Sequence, residues 1–117
     1  MSGRTALLIY CSVEQAELIR ERAERDRRTI SGYLLNIVMR AVEVQEKIAV
    51  TITQYQRLQP IGRLPIPAAQ RTTMLLRCSR AEADRIRQAA KKRDTTISGF
   101  VFRCVERAWK LQAEIYN

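Results

Sequence analysis

Few side chains in this 117-residue chain could do covalent or metal chemistry. There is no histidine, so the commonest general base and the commonest metal ligand are both missing. The three cysteines, Cys11, Cys78 and Cys104, form no Cys-x-x-Cys pair. An odd count without that spacing argues against a disulfide framework and fits buried free thiols in a reducing compartment. No acid–base pair or metal-ligand cluster stands out, so no catalytic activity, cofactor or metal is expected. Positive charge, by contrast, is plentiful. Lys and Arg number 21 against 12 Asp and Glu, for a net charge of +9 and an isoelectric point near 10.2. A compact basic chain of this size points to a polyanionic partner, nucleic acid before a membrane surface.

The hydroxyl residues fall at positions where they can organise backbone. Ser12 precedes Gln15 by three residues and Ser79 precedes Glu82 by three, the spacing of a capping box at a helix start. Thr29 and Thr96 read as two further N-caps, opening helices at Ile30 and Ile97. Each pair of caps is related by the same offset of 67 residues. That offset holds without a gap over 4–48 against 71–115, and matches Thr29-Ile30-Ser31-Gly32-Tyr33 with Thr96-Ile97-Ser98-Gly99-Phe100. A match of this length marks a duplicated unit. Two copies are too few for a solenoid, and a unit of about 45 residues seldom buries enough apolar surface to fold alone. The expected organisation is a first repeat at 1–48, a linker at 49–70 and a second repeat at 71–117, packed as one domain. With 46% hydrophobic residues the composition is that of a globular protein.

The elements that carry these caps follow from periodicity. Thr5–Cys11 and Thr72–Cys78 alternate as short strands, with Leu7, Ile9 and Cys11 on one face and Ala6, Leu8 and Tyr10 on the other. In the second strand Met74, Leu76 and Cys78 oppose Thr73, Leu75 and Arg77. Leu8 and Leu75 break the pattern, being apolar on the open face. A first helix is expected at about 13–26 and 80–93, with Ala16, Ile19 and Ala23 repeated as Ala83, Ile86 and Ala90. The second helix is apolar over a wide arc. Its stripe is Ile30, Leu34, Ile37, Val38, Ala41 and Ile48 in one copy, and Ile97, Val101, Cys104, Val105, Ala108, Leu111 and Ile115 in the other. Trp109 is expected to cover the core edge. Ile48, Ile52 and Tyr55 extend the helical spacing toward Leu58, although Val50-Thr51-Ile52-Thr53 would suit a short strand; Pro60, Gly62, Pro65 and Pro67 then interrupt regular structure. A linker of 22 residues reaches up to about 70 Å when extended, enough to return along a helix of about 28 Å and set the second strand beside the first.

A β-α-α unit with a capped corner, a second cap at Thr-Ile-Ser and a long apolar final helix resembles the ribbon-helix-helix family of DNA-binding proteins. The resemblance covers both repeats. The run Arg71-Thr72-Thr73-Met74-Leu75-Leu76-Arg77-Cys78-Ser79 and the segment Thr96–Phe100 look most like antitoxin-type and plasmid-type members. It implies a mostly α fold with a short β ribbon: two strands in an antiparallel ribbon over a four-helix core. A tandem chain would be a single-chain pseudo-dimer, as in some conjugation-related members.

The resemblance also implies roles. The ribbon would lie in the major groove of double-stranded DNA and read bases with Thr73, Leu75 and Arg77 from one strand and Ala6, Leu8 and Tyr10 from the other. Arg77 would face guanine, Thr73 a polar group or a thymine methyl, and Leu8 and Leu75 thymine methyls. Phosphates would be anchored at the N-termini of the second helices, by the backbone of Ile30, Ser31, Ile97 and Ser98 and the hydroxyls of Thr29 and Thr96. Arg4, Arg27, Arg28 and Arg71 would add positive charge there.

The halves differ. Residues 1–48 hold eight basic and seven acidic side chains, whereas 71–117 hold eleven and five, so the second half is expected to bind DNA more strongly. A transcriptional regulator is the implied function, with self-association of chains on adjacent sites a further implied property. The apolar outer face of the first strand, Ala6-Leu8-Tyr10, supports a rival expectation: a protein-interaction module that docks a protein partner. No signal-peptide pattern and no apolar run of about 18 residues is present, so no membrane span is expected and the location is read as cytoplasmic.

Overall fold

A computed structural model describes residues 3–51, 61 and 70–116. Its elements in chain order are β1 (Arg4–Ser12), α1 (Val13–Arg25), α2 (Ile30–Thr51), β2 (Arg71–Ser79), α3 (Arg80–Lys92) and α4 (Ile97–Tyr116). The fold is mostly helical, with one two-stranded antiparallel sheet.

Both strand-to-helix corners are built by the capping boxes. Ser12 Oγ accepts from the Gln15 N–H at 3.1 Å while Gln15 Oε1 accepts from the Ser12 N–H at 2.8 Å. Ser79 and Glu82 repeat this at 3.1 and 2.9 Å. Two orphan donors of each helix start are thereby satisfied, so the chain turns from strand to helix without a loop.

The first helices end one residue earlier than the periodicity predicts, at Arg25 and Lys92. The cause is a left-handed residue after each C-cap: Arg27 has φ 55° and Asp94 φ 51°. Around the first, the Arg28 N–H reaches the Ala23 carbonyl (2.9 Å) and the Arg27 N–H that of Glu24 (3.0 Å). Around the second, Thr95 bonds to Ala90 (3.1 Å) and Asp94 to Lys91 (3.0 Å). This is the six-to-one and five-to-two bonding of a Schellman motif, made here without glycine. It reverses the chain within a few residues and delivers it to the next cap, at Thr29 or Thr96.

The core lies between the inner face of the ribbon and the four helices. Leu7, Ile9 and Cys11 from β1 and Met74, Leu76 and Cys78 from β2 are buried. Ala16, Ile19 and Ala23, with Ala83, Ile86 and Ala90, line the first helices as predicted. The small alanines let α2 come close to both α1 and α3, while α2 also packs on α4. Leu34, Val38, Val42, Val101 and Val105 are fully buried there, each such side chain contributing about 1.5–3 kcal/mol of burial free energy. Ile48 and Leu111, assigned to the core stripe from spacing, are instead 37% and 52% exposed, because α2 and α4 run on past the packed layer. In their place Tyr33, Met39, Phe100 and Phe102 complete the core.

Residues 49–51 are helical, not extended, so α2 continues through Thr51; the expected extension over 52–58 lies outside the described residues. Within the linker, the Ile61 N–H donates to the Arg93 carbonyl at 2.8 Å, and Ile61 packs on the core. Ile61 thus lies at the C-terminal end of α3.

Candidate nucleic-acid interface

The ribbon pairs in a single register, Arg4 with Ser79 through Ser12 with Arg71. Its middle pair is Leu8 with Leu75, two residues that also occupy equivalent positions in the sequence repeat. Ala6 therefore faces Arg77 on one side of the centre, and Tyr10 faces Thr73 on the other. All six outer-face residues predicted from alternation are exposed, with Leu8 45%, Leu75 50% and Tyr10 53% accessible. The ribbon's open face thus carries an apolar centre, a guanidinium toward one end, and a phenol with a threonine toward the other.

A two-stranded ribbon has two outer edges whose backbone groups find no strand partner. Here the long helices supply a partner for three of those groups. Ser31 Oγ, in the first turn of α2, accepts from the Arg77 N–H at 2.9 Å and donates to the Leu75 carbonyl at 3.2 Å. Ser98 Oγ, in the first turn of α4, accepts from the Tyr10 N–H at 2.8 Å. Each helix start is thereby fixed to the strand of the other repeat, and α2 packs on β2 while α4 packs on β1. Since these N–H groups and the Leu75 carbonyl point outward, the pairs 6–77, 8–75 and 10–73 are the non-hydrogen-bonded kind. Their Cα atoms lie about 4.5 Å apart and their side chains stand close together.

The helix starts themselves match the predicted caps. Thr29 Oγ1 accepts from the Gly32 N–H and Thr96 Oγ1 from the Gly99 N–H, both at 3.0 Å. A Cβ at position 32 would stand 3.0 Å from Thr29 Oγ1, so glycine there leaves room for the cap. With the third N–H of the turn taken, those of Ile30 and Ser31, and of Ile97 and Ser98, are the donors left pointing out of each helix end. They sit at the two flanks of the ribbon, beside Arg77 and Tyr10 respectively, where the positive end of the helix dipole favours an anion. Thr29, Thr96, Arg27, Arg28, Arg4 and Arg71 are all exposed; Arg4 and Arg71 begin the two strands and so stand at opposite ends of the ribbon.

The geometry changes how the halves are divided. Charge by sequence favours the second repeat, but the helix start beside Arg77 belongs to the first. The unequal residues are therefore distributed along the ribbon, with Arg77 flanked by α2 at one end and Tyr10 flanked by α4 at the other.

Two features carried no sequence signal that reached this far. The dual use of Ser31 and Ser98 as edge partners depends on which strand each helix lies under. A second feature is a shallow pocket of about 310 Å³ away from the ribbon, lined by Arg22, Arg25, Asp26, Tyr33, Trp109, Gln112 and Ala113. Trp109 Nε1 donates to the Tyr33 hydroxyl at 2.7 Å, and the Arg22 guanidinium sits 5.1 Å from the Trp109 ring centre. Trp109 thus closes the core edge, as expected. None of the predicted site residues lines this pocket.

Cys11, Cys78 and Cys104 are buried and free. Burial raises the pKa of all three thiols, that of Cys104 to about 12, so they are poor nucleophiles at neutral pH. Among the described residues there is no group of three or more His, Cys, Asp or Glu side chains placed to hold a metal, and no helix long and apolar enough to cross a membrane. Compared with protein-family models, curated proteins and solved structures, the chain finds no match.

Proposed function

We propose that this chain binds double-stranded DNA with sequence preference and acts as a transcriptional regulator. In this reading the two repeats form a single-chain pseudo-dimer of ribbon-helix-helix type. The observation that carries it is the register of the ribbon: it centres on the repeat-equivalent pair Leu8–Leu75 and sets a helix start against each outer edge. A ribbon of this width fits the major groove of B-form DNA, where alternate side chains reach base edges. Helix N–H donors at both flanks are suited to the phosphates on either side of the groove. The net charge of +9 favours the same partner, and phosphate neutralisation would supply much of the affinity.

The test is duplex binding as a function of salt. Affinity should fall linearly on a double-logarithmic plot, with a slope near −0.9 for each phosphate neutralised. Absence of binding to any duplex at low salt would refute the reading. A second reading, docking of a protein partner on the ribbon, is favoured by the exposure of Leu8 and Tyr10. It predicts binding that is retained at high salt and that depends on those side chains without any duplex present.

A further inference from the structure

We infer that the DNA site of this chain is centred on thymines, recognised through their methyl groups by Leu8 and Leu75, with its guanine contact displaced to one side only. The inference rests on the DNA-binding reading above and specifies what that surface would select.

The register places the two leucines directly opposite each other at the middle of the outer face. They are about half exposed, and they occupy a non-hydrogen-bonded pair, where side chains stand closest. Neither can donate or accept a hydrogen bond. In the major groove, the apolar feature offered by a base pair is the C5-methyl of thymine; guanine and cytosine present only donors and acceptors there. Leucines pressed onto a G·C pair would strip water from those polar groups and return nothing, which is a cost of desolvation without a partner. Pressed onto thymine methyls, the same side chains gain burial.

Size agrees with this. Paired Cβ atoms are about 4.5–5.5 Å apart, and base pairs are about 3.4 Å apart, so the leucine pair covers the central one or two base pairs. The flanks supply the charge that a nucleic-acid partner requires and an apolar protein partner does not. Arg4 and Arg71 begin the strands at opposite ends of the ribbon, and Arg77 lies one outer position from the centre. Arg77 faces only Ala6 across the ribbon, whereas its repeat equivalent is Tyr10, which faces Thr73. One arm of the site therefore meets a guanidinium and the other a phenol and a hydroxyl. The preferred sequence has A·T pairs at its middle and guanine on one arm, and is not a palindrome.

The experiment uses the full chain. Duplexes are selected from a randomised library, and the selected site is then resynthesised with deoxyuridine in place of each central thymidine. That change deletes the methyl and leaves base pairing intact. Each lost methyl contact should weaken binding about fourfold, the factor expected for burying one methyl-sized group. The Leu8→Ala, Leu75→Ala double variant should bind more weakly and lose its sensitivity to uracil. A selected site with G·C at its centre, a full palindrome, or an affinity unchanged by uracil would overturn the inference while leaving DNA binding in place. Enrichment of no duplex at all would overturn the DNA-binding reading and this inference together. The uracil comparison uses the unaltered chain, so it decides the question even if the double variant fails to fold.

Discussion

Replacing Ser31 by alanine should loosen one end of the molecule in a way that can be traced atom by atom. The hydroxyl accepts from the Arg77 N–H (2.9 Å) and donates to the Leu75 carbonyl (3.2 Å), so the substitution removes both bonds. A hydrogen bond contributes about 0.5–1.5 kcal/mol net, and these groups are exposed enough for water to replace the lost partners. The low end applies, giving a loss of about 1 kcal/mol for the pair and a fall in melting temperature of about 4 °C for a chain of this length. The sharper readout is hydrogen exchange at single amides. Ser31→Ala should lower protection of the Arg77 amide and leave Tyr10 unchanged. Ser98→Ala should do the reverse, because Ser98 Oγ accepts from the Tyr10 N–H. The two sites share no partner, so their effects on stability should add. Equal exchange rates at Arg77 in the variant and the parent would refute the claim that the hydroxyls hold the helix starts to the ribbon.

Arg77→Ala should weaken binding to a preferred duplex by about 1–3 kcal/mol and relax selectivity at one base pair; uniform weakening on all sequences would make Arg77 a phosphate contact. Arg27→Gly should raise stability by about 1 kcal/mol in denaturant unfolding, since glycine adopts φ 55° without strain, while Asp94→Gly should gain less because aspartate tolerates that region better. If Arg27 also meets phosphate, the same variant should bind duplex more weakly and with a shallower salt slope. For Cys104, the folded pKa of about 12 lies above the ordinary value of 9.0, so the folded state holds its proton where the unfolded state has lost it. Stability should therefore decline between about pH 9 and 12, and Cys104→Ala should remove that part of the slope in equilibrium unfolding.

Much of the architecture can be read from local chemistry. The Ser-x-x-Gln and Ser-x-x-Glu boxes, the Thr caps before Ile30 and Ile97, and the alternation that exposes Ala6, Leu8 and Tyr10 all depend on neighbours within a few residues. The repeat adds a long-range constraint, because equivalent strands can pair about their shared middle. What escapes such reading is information held between elements. Offset alone does not tell whether α2 lies under β1 or β2, and so the roles of Ser31 and Ser98 at the ribbon edges stay hidden. The left-handed Arg27 and Asp94 carry no glycine to announce them. Periodicity gives a helix face but not how far the partner surface extends, which is why Ile48 and Leu111 fall outside the core. Charge counted along the chain likewise assigns the stronger half to the second repeat, whereas the fold joins the start of α2 to the strand that bears Arg77.

Contact of DNA with the outer face of the ribbon and the two helix starts beside it can be followed by adding duplex, at low salt, to the isotopically labelled full chain and recording methyl and amide resonances. Shifts are expected in the methyls of Leu8 and Leu75 and in the amides of Ile30, Ser31, Ile97 and Ser98. The methyls of the buried Leu34 and Leu76 should hold still. Shifts confined to other surfaces, such as Val13, Leu18 and Val44, or no shifts with any duplex, would contradict that contact.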